Sequence, residues 1–418
     1  MTARRIVTAV FAVPLTLMLA ACSHEGPTAR WSGEPSATPA AQAQAGPVTL
    51  AITPASSTKN LPVSTEITTA VQHGTVTSVA VVDDQKATVG GAMRPDGSAW
   101  VPDRPLKYRR TYTATVTATG QDGTKATQAT TFSTMAEPGG GRVGSGLYLF
   151  DGITYGVAMP VVVEFDEPIP QSARAAVERR MFVTTVPPQP GAWGWFGDRQ
   201  VMYRGPTYWQ PGTKLTVRTA LEGLPIGNRY GDTDRRATGT IRNDQLIIDV
   251  DNTTKQMTVT QNGQVLKKLP VSLGKKSTPS SSGTMVIMDK QEKTVFDTRS
   301  DPDPANRYVV DIEFAQRLTW GGEYIHSAPW SVGDQGRRNV SHGCVNVSAA
   351  NASWLYGLTR VGDPVTVRGT EEKLESGNGW TAWDVAWPAF LALSALPHPE
   401  LVGAVTTDPN RGDAQKTP

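Results

Sequence analysis

Tyr112-Thr113-Ala114-Thr115-Val116-Thr117-Ala118 alternates bulky or apolar residues with threonine and is followed by Gly120-Gln121-Asp122-Gly123. A second Thr-rich stretch then ends near Phe132. Period-two alternation interrupted by a Gly/Asp turn is the signature of a β-hairpin with one buried face. Helix-type periodicity is nearly absent around it, from about residue 48 to 137, and this region reads as a small β-sandwich. Glu137-Pro138-Gly139-Gly140-Gly141 marks its end.

The same texture continues from 138 to 243. Val161-Val162-Val163-Glu164-Phe165-Asp166-Glu167-Pro168 reads as a strand and a turn, and one short helix is predicted at Ser172 to Arg180. Tyr208-Trp209-Gln210-Pro211-Gly212 leads into Lys214-Leu215-Thr216-Val217-Arg218, much as Trp100 and its following prolines lead into the Tyr112 strand. The layout suggests a weak internal duplication. Both segments resemble bacterial immunoglobulin-like domains, an inference about architecture and silent on chemistry. From 244 to 369 the texture changes. Leu246–Val250 and Met257–Thr260 read as strands, Asn262-Gly263 as a two-residue hairpin turn, and Gly274, Thr278-Pro279 and Gly283 punctuate a long loop.

Composition excludes several classes. The 418 residues predict several domains, and 39% hydrophobic with 19% charged residues is neither a disordered polymer nor a multi-spanning membrane protein. Forty basic residues against 38 acidic ones give a net charge of +2, so no field draws the chain to nucleic acid. The only cysteines are Cys22 and Cys344, which excludes a disulfide scaffold and a multi-cysteine zinc site.

Arg4-Arg5 precede an apolar run from Ile6 to Ala21 that ends Leu19-Ala20-Ala21-Cys22. The run has the length of a signal h-region and is too short to span a bilayer comfortably. Small residues before a cysteine resemble a bacterial lipobox, which implies a signal peptide over 1–21, lipidation of Cys22 and anchoring to a membrane. The alternative is an ordinary signal cleaved near Ala20-Ala21. Either reading predicts export. Residues 22–47, rich in Ser, Pro, Ala, Gly and Gln, read as a flexible tether. Residues 370–418 form an extension holding Trp380, Trp383 and Trp387. At near-helical spacing these could share one face, in a helix or extended segment that seals the back of the preceding domain; carbohydrate stacking is the alternative. Residues beyond about 400 read as disordered.

If Cys22 carries lipid, Cys344 is a lone thiol in an exported protein, where an unpaired thiol is an oxidation liability and calls for a reason. It sits in Ser341-His342-Gly343-Cys344-Val345-Asn346, with His326-Ser327-Ala328-Pro329-Trp330 upstream. A thiol needs a neighbouring base or cation to react near neutral pH. His342 is two residues away, but Gly343 suggests a turn, in which His342 could lend its backbone N–H rather than its ring. His326 can return on a neighbouring strand. The bland alternatives are a buried cysteine and capping histidines, or a three-ligand zinc site at His326, His342 and Cys344.

His326, fourteen intervening residues, and then Ser-His-Gly-Cys-Val-Asn resembles the signature of the L,D-transpeptidases at every fixed position. The Gly274…Thr278-Pro279…Gly283 loop is similar too, and so is the plan of anchor, two immunoglobulin-like domains, catalytic domain and Trp-containing extension. The resemblance covers roughly residues 48 to 390. It implies a mainly β fold with an L,D-transpeptidase-type β-sandwich catalytic domain carrying short helices. It implies an enzyme without cofactor or metal that attacks a peptidoglycan tetrapeptide stem, releases D-Ala, and passes the acyl group to the amine of a second stem as a 3→3 cross-link. Carried over by motif position, Cys344 is the nucleophile, His326 the base, and Ser327 orients its ring through the backbone carbonyl. His342, Gly343 and Cys344 supply backbone N–H groups to the oxyanion, and Asn346 positions substrate or the turn. Tyr308 resembles the family's lid tyrosine, although it also fits a strand residue packing on the sheet. Gly321-Gly322 lies where the family contacts the donor stem, or is a plain hairpin turn. Trp330 walls the pocket or packs in the core. The segment from about 289 to 316, rich in Asp, Pro and Lys, could be a lid over the cleft. The implied partners are peptidoglycan stems, a membrane through Cys22, and carbapenem β-lactams. The same thioester would also precede hydrolysis, as in a carboxypeptidase or endopeptidase. A non-catalytic wall-binding lipoprotein is the third reading.

Overall fold

The computed structural model describes residues 46–300 and 302–404. The signal over 1–21, the lipidation of Cys22, nearly all of the 22–47 tether and the chain beyond 404 lie outside the described residues. No helix among the described residues is long and apolar enough to cross a membrane.

Period-two alternation builds the first unit. In the strand Thr111–Gly120, Tyr112, Ala114, Val116 and Ala118 are buried, while the threonines between them face outward. It pairs antiparallel with Lys125–Thr134 across the Gly120–Gly123 turn. Two four-stranded sheets close over Leu50, Val63, Ile67, Trp100, Tyr112 and Phe132. The Tyr112 hydroxyl accepts the Lys107 N–H at 2.8 Å, satisfying the one polar atom this core aromatic carries inward.

The second unit repeats the plan of two four-stranded sheets, adds a three-stranded one, and carries the short helix Gln171–Arg179. It is not a residue-for-residue copy of the first. Trp100 lies within the strand Ala99–Pro102, whereas Trp209 sits outside any strand, buried, with its indole N–H on the Met159 carbonyl at 2.7 Å. Polar contacts pin the two units together. Glu66 accepts from Arg94 at 2.7 Å and from the buried Arg180 at 2.5 Å, and Arg218 donates to the Pro102 carbonyl at 2.8 Å.

The third unit sets a six-stranded sheet against a four-stranded one. Leu246–Asp251 and Gln256–Gln261 pair through the Asn262-Gly263 turn region with Gln264–Pro270. Both turn residues have positive φ, 49° and 78°, which this two-residue turn requires. The four-stranded sheet runs Asp289–Asp297, Val309–Arg317, Tyr324–Ser327, Val345–Val347. The helix Ala349–Leu358, capped by Ser348, packs against it and buries Ala352 and Leu355 in the same core. The core between the sheets holds Ile248, Met257, Leu273, Met285, Ile325, Val345 and Leu355.

The extension differs from its expected role. Trp380, Trp383 and Trp387 are all buried, which leaves no ring face for a sugar. They share no single helix either: a short 3-10 turn, Ala382–Asp384, and the helix Trp387–Leu391 are separated by extended backbone at Val385 and Ala386. They pack mainly on the second unit rather than on the back of the third. The Trp383 indole donates to the Ala158 carbonyl at 2.7 Å and its ring meets Tyr208; Trp380 meets Tyr148 edge-on. The Arg204 guanidinium lies 4.5, 5.1 and 4.4 Å from the ring centres of Trp383, Trp387 and Phe390. Burial lowers its pKa to about 9. It donates to the Val385 carbonyl at 2.6 Å, so this cation–π cluster also holds the extension's backbone. Order continues past residue 400: Leu401 is buried and its carbonyl accepts the Trp387 indole at 3.0 Å. The same segment reaches the six-stranded sheet of the third unit through Asp384, whose carboxylate accepts the Thr284 N–H at 2.8 Å.

Replacing Trp383 removes a large buried ring shared by the extension and the second unit. Trp383→Ala is expected to lower unfolding stability by about 3–5 kcal/mol, measurable as a fall in the denaturation midpoint. A shift under about 1 kcal/mol would contradict this packing account.

Candidate active site

Strand pairing brings the thiol and the imidazole together. Tyr324–Ser327 runs parallel to Val345–Val347, with Ile325 opposite Val345 and His326 opposite Asn346. Extending that register by one residue sets Cys344 opposite Tyr324. Alternation along a strand then places Tyr324 and His326 on one face together with Cys344 and Asn346. His326 and Cys344 are therefore diagonal neighbours, with Cα atoms about 8 Å apart by ideal strand spacing. Both line one cavity of about 500 Å³. On the opposite face Ile325 and Val345 go into the core.

The turn that carries the cysteine is held on every side. Ser272 exchanges backbone hydrogen bonds with Asn346 at 2.9 and 3.1 Å, and Ser341 N–H donates to the Leu273 carbonyl at 3.0 Å. Ser341 hydroxyl donates to the Cys344 carbonyl and Ser280 hydroxyl to the Gly343 carbonyl, each at 2.6 Å. Gly343 has φ 121°, a backbone region that L side chains rarely adopt. Gly274 is required for space: a Cβ there would lie 2.2 Å from the Thr278 carbonyl oxygen.

His326 is 4% exposed, and its Nδ1–H donates to the Ser327 carbonyl at 2.8 Å. A carbonyl can only accept, so Nδ1 carries the proton and Nε2 keeps its lone pair. Burial lowers the pKa to about 4, and the ring is neutral near pH 7. Cys344 is 8% exposed, and burial pushes its thiol up to about 12. Its Sγ–H points to the Gly322 carbonyl at 3.7 Å. Burial thus favours the uncharged form of each group, thiol and imidazole.

The hairpin Asp289–Asp297 with Val309–Arg317 forms one wall of the cavity through Phe296, Val310 and Ile312. Tyr308, at its turn, lines the cavity and meets the His342 ring at 5.2 Å. Its backbone is fixed by Thr298, whose N–H donates to the Tyr308 carbonyl and whose hydroxyl accepts the Tyr308 N–H, both at 2.9 Å. His342 is exposed at the mouth and engages through its ring: Lys275 Nζ donates to Nε2 at 2.9 Å. Gly343 N–H donates to the Ser341 hydroxyl at 3.2 Å in this resting state. Asn346 lines the cavity, donates to Ser331 at 3.2 Å, and its buried Oδ1 has no protein partner. Trp330 is 59% exposed with its ring 6.1 Å from that of His326, so it walls the cavity and is not core. Gly321 and Gly322 lie outside this cavity, in the turn before Tyr324 and against the sulfur. Gly321 N–H donates to Asn378 Oδ1 at 2.7 Å.

Three contributors escaped sequence reasoning. Phe296 packs edge-on against His326 at 5.4 Å and tilted against Tyr324 at 4.6 Å, covering the imidazole. Lys275 reaches His342 from the glycine-punctuated loop. Glu323 lies behind the cysteine turn, accepting from Ser281 N–H and hydroxyl at 2.9 Å each, and burial raises its pKa. Phe296 and Glu323 carry no local sequence signal; Lys275 follows Gly274 in a loop already singled out. Among the described residues no group of three or more His, Cys, Asp or Glu side chains is arranged to hold a metal ion.

Residues 58–225 match the model of a bacterial Ig domain, and residues 245–367 match that of an L,D-transpeptidase catalytic domain. The chain is 34% identical over 346 residues to L,D-transpeptidase 2 of Mycobacterium tuberculosis, covering 80% of this chain and 81% of the relative. It is 33% identical to L,D-transpeptidase 5 of the same species, covering 85% and 79%. A solved structure of the L,D-transpeptidase LdtMt1 in complex with imipenem is 35% identical over 55% of this chain and 99% of the other, with a TM-score of 0.46. With its signature residues gathered on one cavity face and this likeness spanning most of its length, the chain belongs to the L,D-transpeptidase family.

Proposed function

We propose that this enzyme forms 3→3 peptidoglycan cross-links through a thioester on Cys344. The observation that carries the reading is the neutral pair on one strand face: a protonated thiol beside an imidazole whose Nδ1–H is fixed on Ser327 and whose Nε2 can take a proton. As sulfur attacks the carbonyl carbon of the third stem residue, the thiol proton passes to His326 Nε2. The C–N bond to D-Ala then breaks, and the same proton goes to the leaving amine. A side-chain amine of a second stem attacks the thioester, gives its proton to His326, and leaves an amide; the departing sulfur takes the proton back. The orienting group is a neutral carbonyl rather than a carboxylate, which suits an imidazole that burial keeps uncharged. His342, Gly343 and Cys344 backbone N–H groups would meet the oxyanion, which for Gly343 requires exchanging its bond to Ser341. Tyr308, Asn346 and Trp330 would contact the donor from the walls, and Gly321-Gly322 from the sulfur side.

A carbapenem carries a strained acyl group and would load the same sulfur. The Leu19-Ala20-Ala21-Cys22 stretch supports export and lipid anchoring, with the two sandwich units holding the catalytic unit away from the membrane. Water in place of the amine would give a carboxypeptidase. The described site does not favour that acceptor.

Three outcomes are expected. Cys344→Ala abolishes the formation of joined dimers from purified tetrapeptide stems while near- and far-UV circular dichroism stay unchanged; retained dimer formation would refute the assignment. His326→Gln lowers cross-linking by about 10³-fold or more, and a loss under tenfold would remove it as the base. The resting thiol is neutral, so alkylation of Cys344 by iodoacetamide should climb about tenfold per pH unit from about pH 6 to 9. A plateau beginning below about pH 7 would instead reveal a pre-formed thiolate–imidazolium pair.

A further inference from the structure

We infer that the Gly377-Asn378-Gly379 turn of the C-terminal extension positions the nucleophile, with Asn378 as the positioning residue. The inference rests on the reading of Cys344 as the acylated group.

Two hydrogen bonds connect turn and sulfur. Asn378 Oδ1 accepts the Gly321 N–H at 2.7 Å, and the next residue, Gly322, offers its carbonyl to the Cys344 thiol at 3.7 Å. The loop between those contacts is short. Gly322 N–H returns to the Thr319 carbonyl at 3.4 Å, and Glu323 N–H to the Thr319 hydroxyl at 3.0 Å. Arg317 holds the other side by donating to the Thr319 and Trp320 carbonyls, both at 3.0 Å. Asn378 is thus the contact that fixes the glycine end.

The turn is built for close approach. Gly377 and Gly379 have φ of 85° and 109°. A Cβ on Gly379 would lie 2.9 Å from the Leu318 carbonyl oxygen and 3.3 Å from Thr319 Cα, so only glycine lets the turn reach this loop. Thr381 hydroxyl accepts the Gly377 N–H at 2.8 Å, and buried Trp380 follows directly. The turn is therefore anchored in the same aromatic cluster that joins the extension to the second unit.

A carbonyl accepting from a thiol favours the protonated form, and its position sets where the sulfur rests. Releasing Gly321 lets the Gly322 carbonyl drift. The thiol then ionises more easily but sits less well for attack, and the two effects separate experimentally. A general loss of stability would not raise one rate while lowering the other.

The test uses the full exported chain as wild type, Asn378→Ala and Asn378→Asp. Acylation by a carbapenem is followed by intact mass, alkylation by iodoacetamide at fixed pH, and thermal midpoints alongside. Asn378→Ala should acylate roughly tenfold to a hundredfold more slowly while alkylating about threefold faster. Asn378→Asp, which keeps an acceptor for Gly321, should return acylation to within about threefold of wild type. Wild-type rates for both reactions in Asn378→Ala would overturn the inference. So would a parallel fall of both rates with the thermal midpoint, since that marks a structural role only. If wild type takes no carbapenem on Cys344, the parent reading fails instead, and the alkylation arm still reports on the loop.

Discussion

The chemistry of this protein depends on one parallel strand pairing. Tyr324–Ser327 beside Val345–Val347 puts His326 and Cys344 on the cavity face and sends Ile325 and Val345 into the core. A slip of the Val345–Val347 strand by one residue would turn Val345 out of the core and bury the thiol away from the imidazole. Register is therefore shared between folding and catalysis: the hydrophobic demand of one face sets the reactive geometry of the other. Ser272 on the outer side, and the Ser341 and Ser280 hydroxyls around the turn, hold the strand against such a slip.

Burial gives the pair its second property. The cavity floor is dry enough to keep an imidazole neutral and a thiol protonated. A neutral resting pair costs little to bury, whereas an ion pair in the same place would have to offset the desolvation of two charges. It also limits the access of oxidants to the Cys344 thiol. The charge separation of the reaction then arises only when an electrophile is present. Gly343 N–H, meanwhile, rests on the Ser341 hydroxyl.

Much of this was legible in the chain itself. The alternation around Tyr112, the Asn262-Gly263 turn and the short helix after Pro170 are local signals, and each formed where its residues indicated. The spacing of His326 to Ser341-His342-Gly343-Cys344-Val345-Asn346 pointed to two residues that the fold does bring to one cavity face, because that motif compresses a strand, a turn and a crossover into a recognisable string. What stayed hidden is long-range. Phe296 reaches His326 across a hairpin, and Asn378 meets Gly321 from 57 residues downstream. The tryptophans of the extension suggested one amphipathic face on the preceding domain. They are instead divided by extended backbone and claimed by Arg204 of the second unit, an acquisition no local periodicity announces. For Trp330 the sequence left cavity wall and core equally open, and only the fold shows it exposed at the cavity wall.

The central claim is that the sulfur at position 344 carries the acyl group between two stems. Incubating the enzyme with a tetrapeptide donor and no acceptor, then digesting at low pH and sequencing the labelled peptide by tandem mass spectrometry, tests it directly. The account predicts a tripeptidyl thioester on Cys344, formed in equal amount with released D-Ala and removed by hydroxylamine. D-Ala release without any label at Cys344, or a label on another residue, would contradict it.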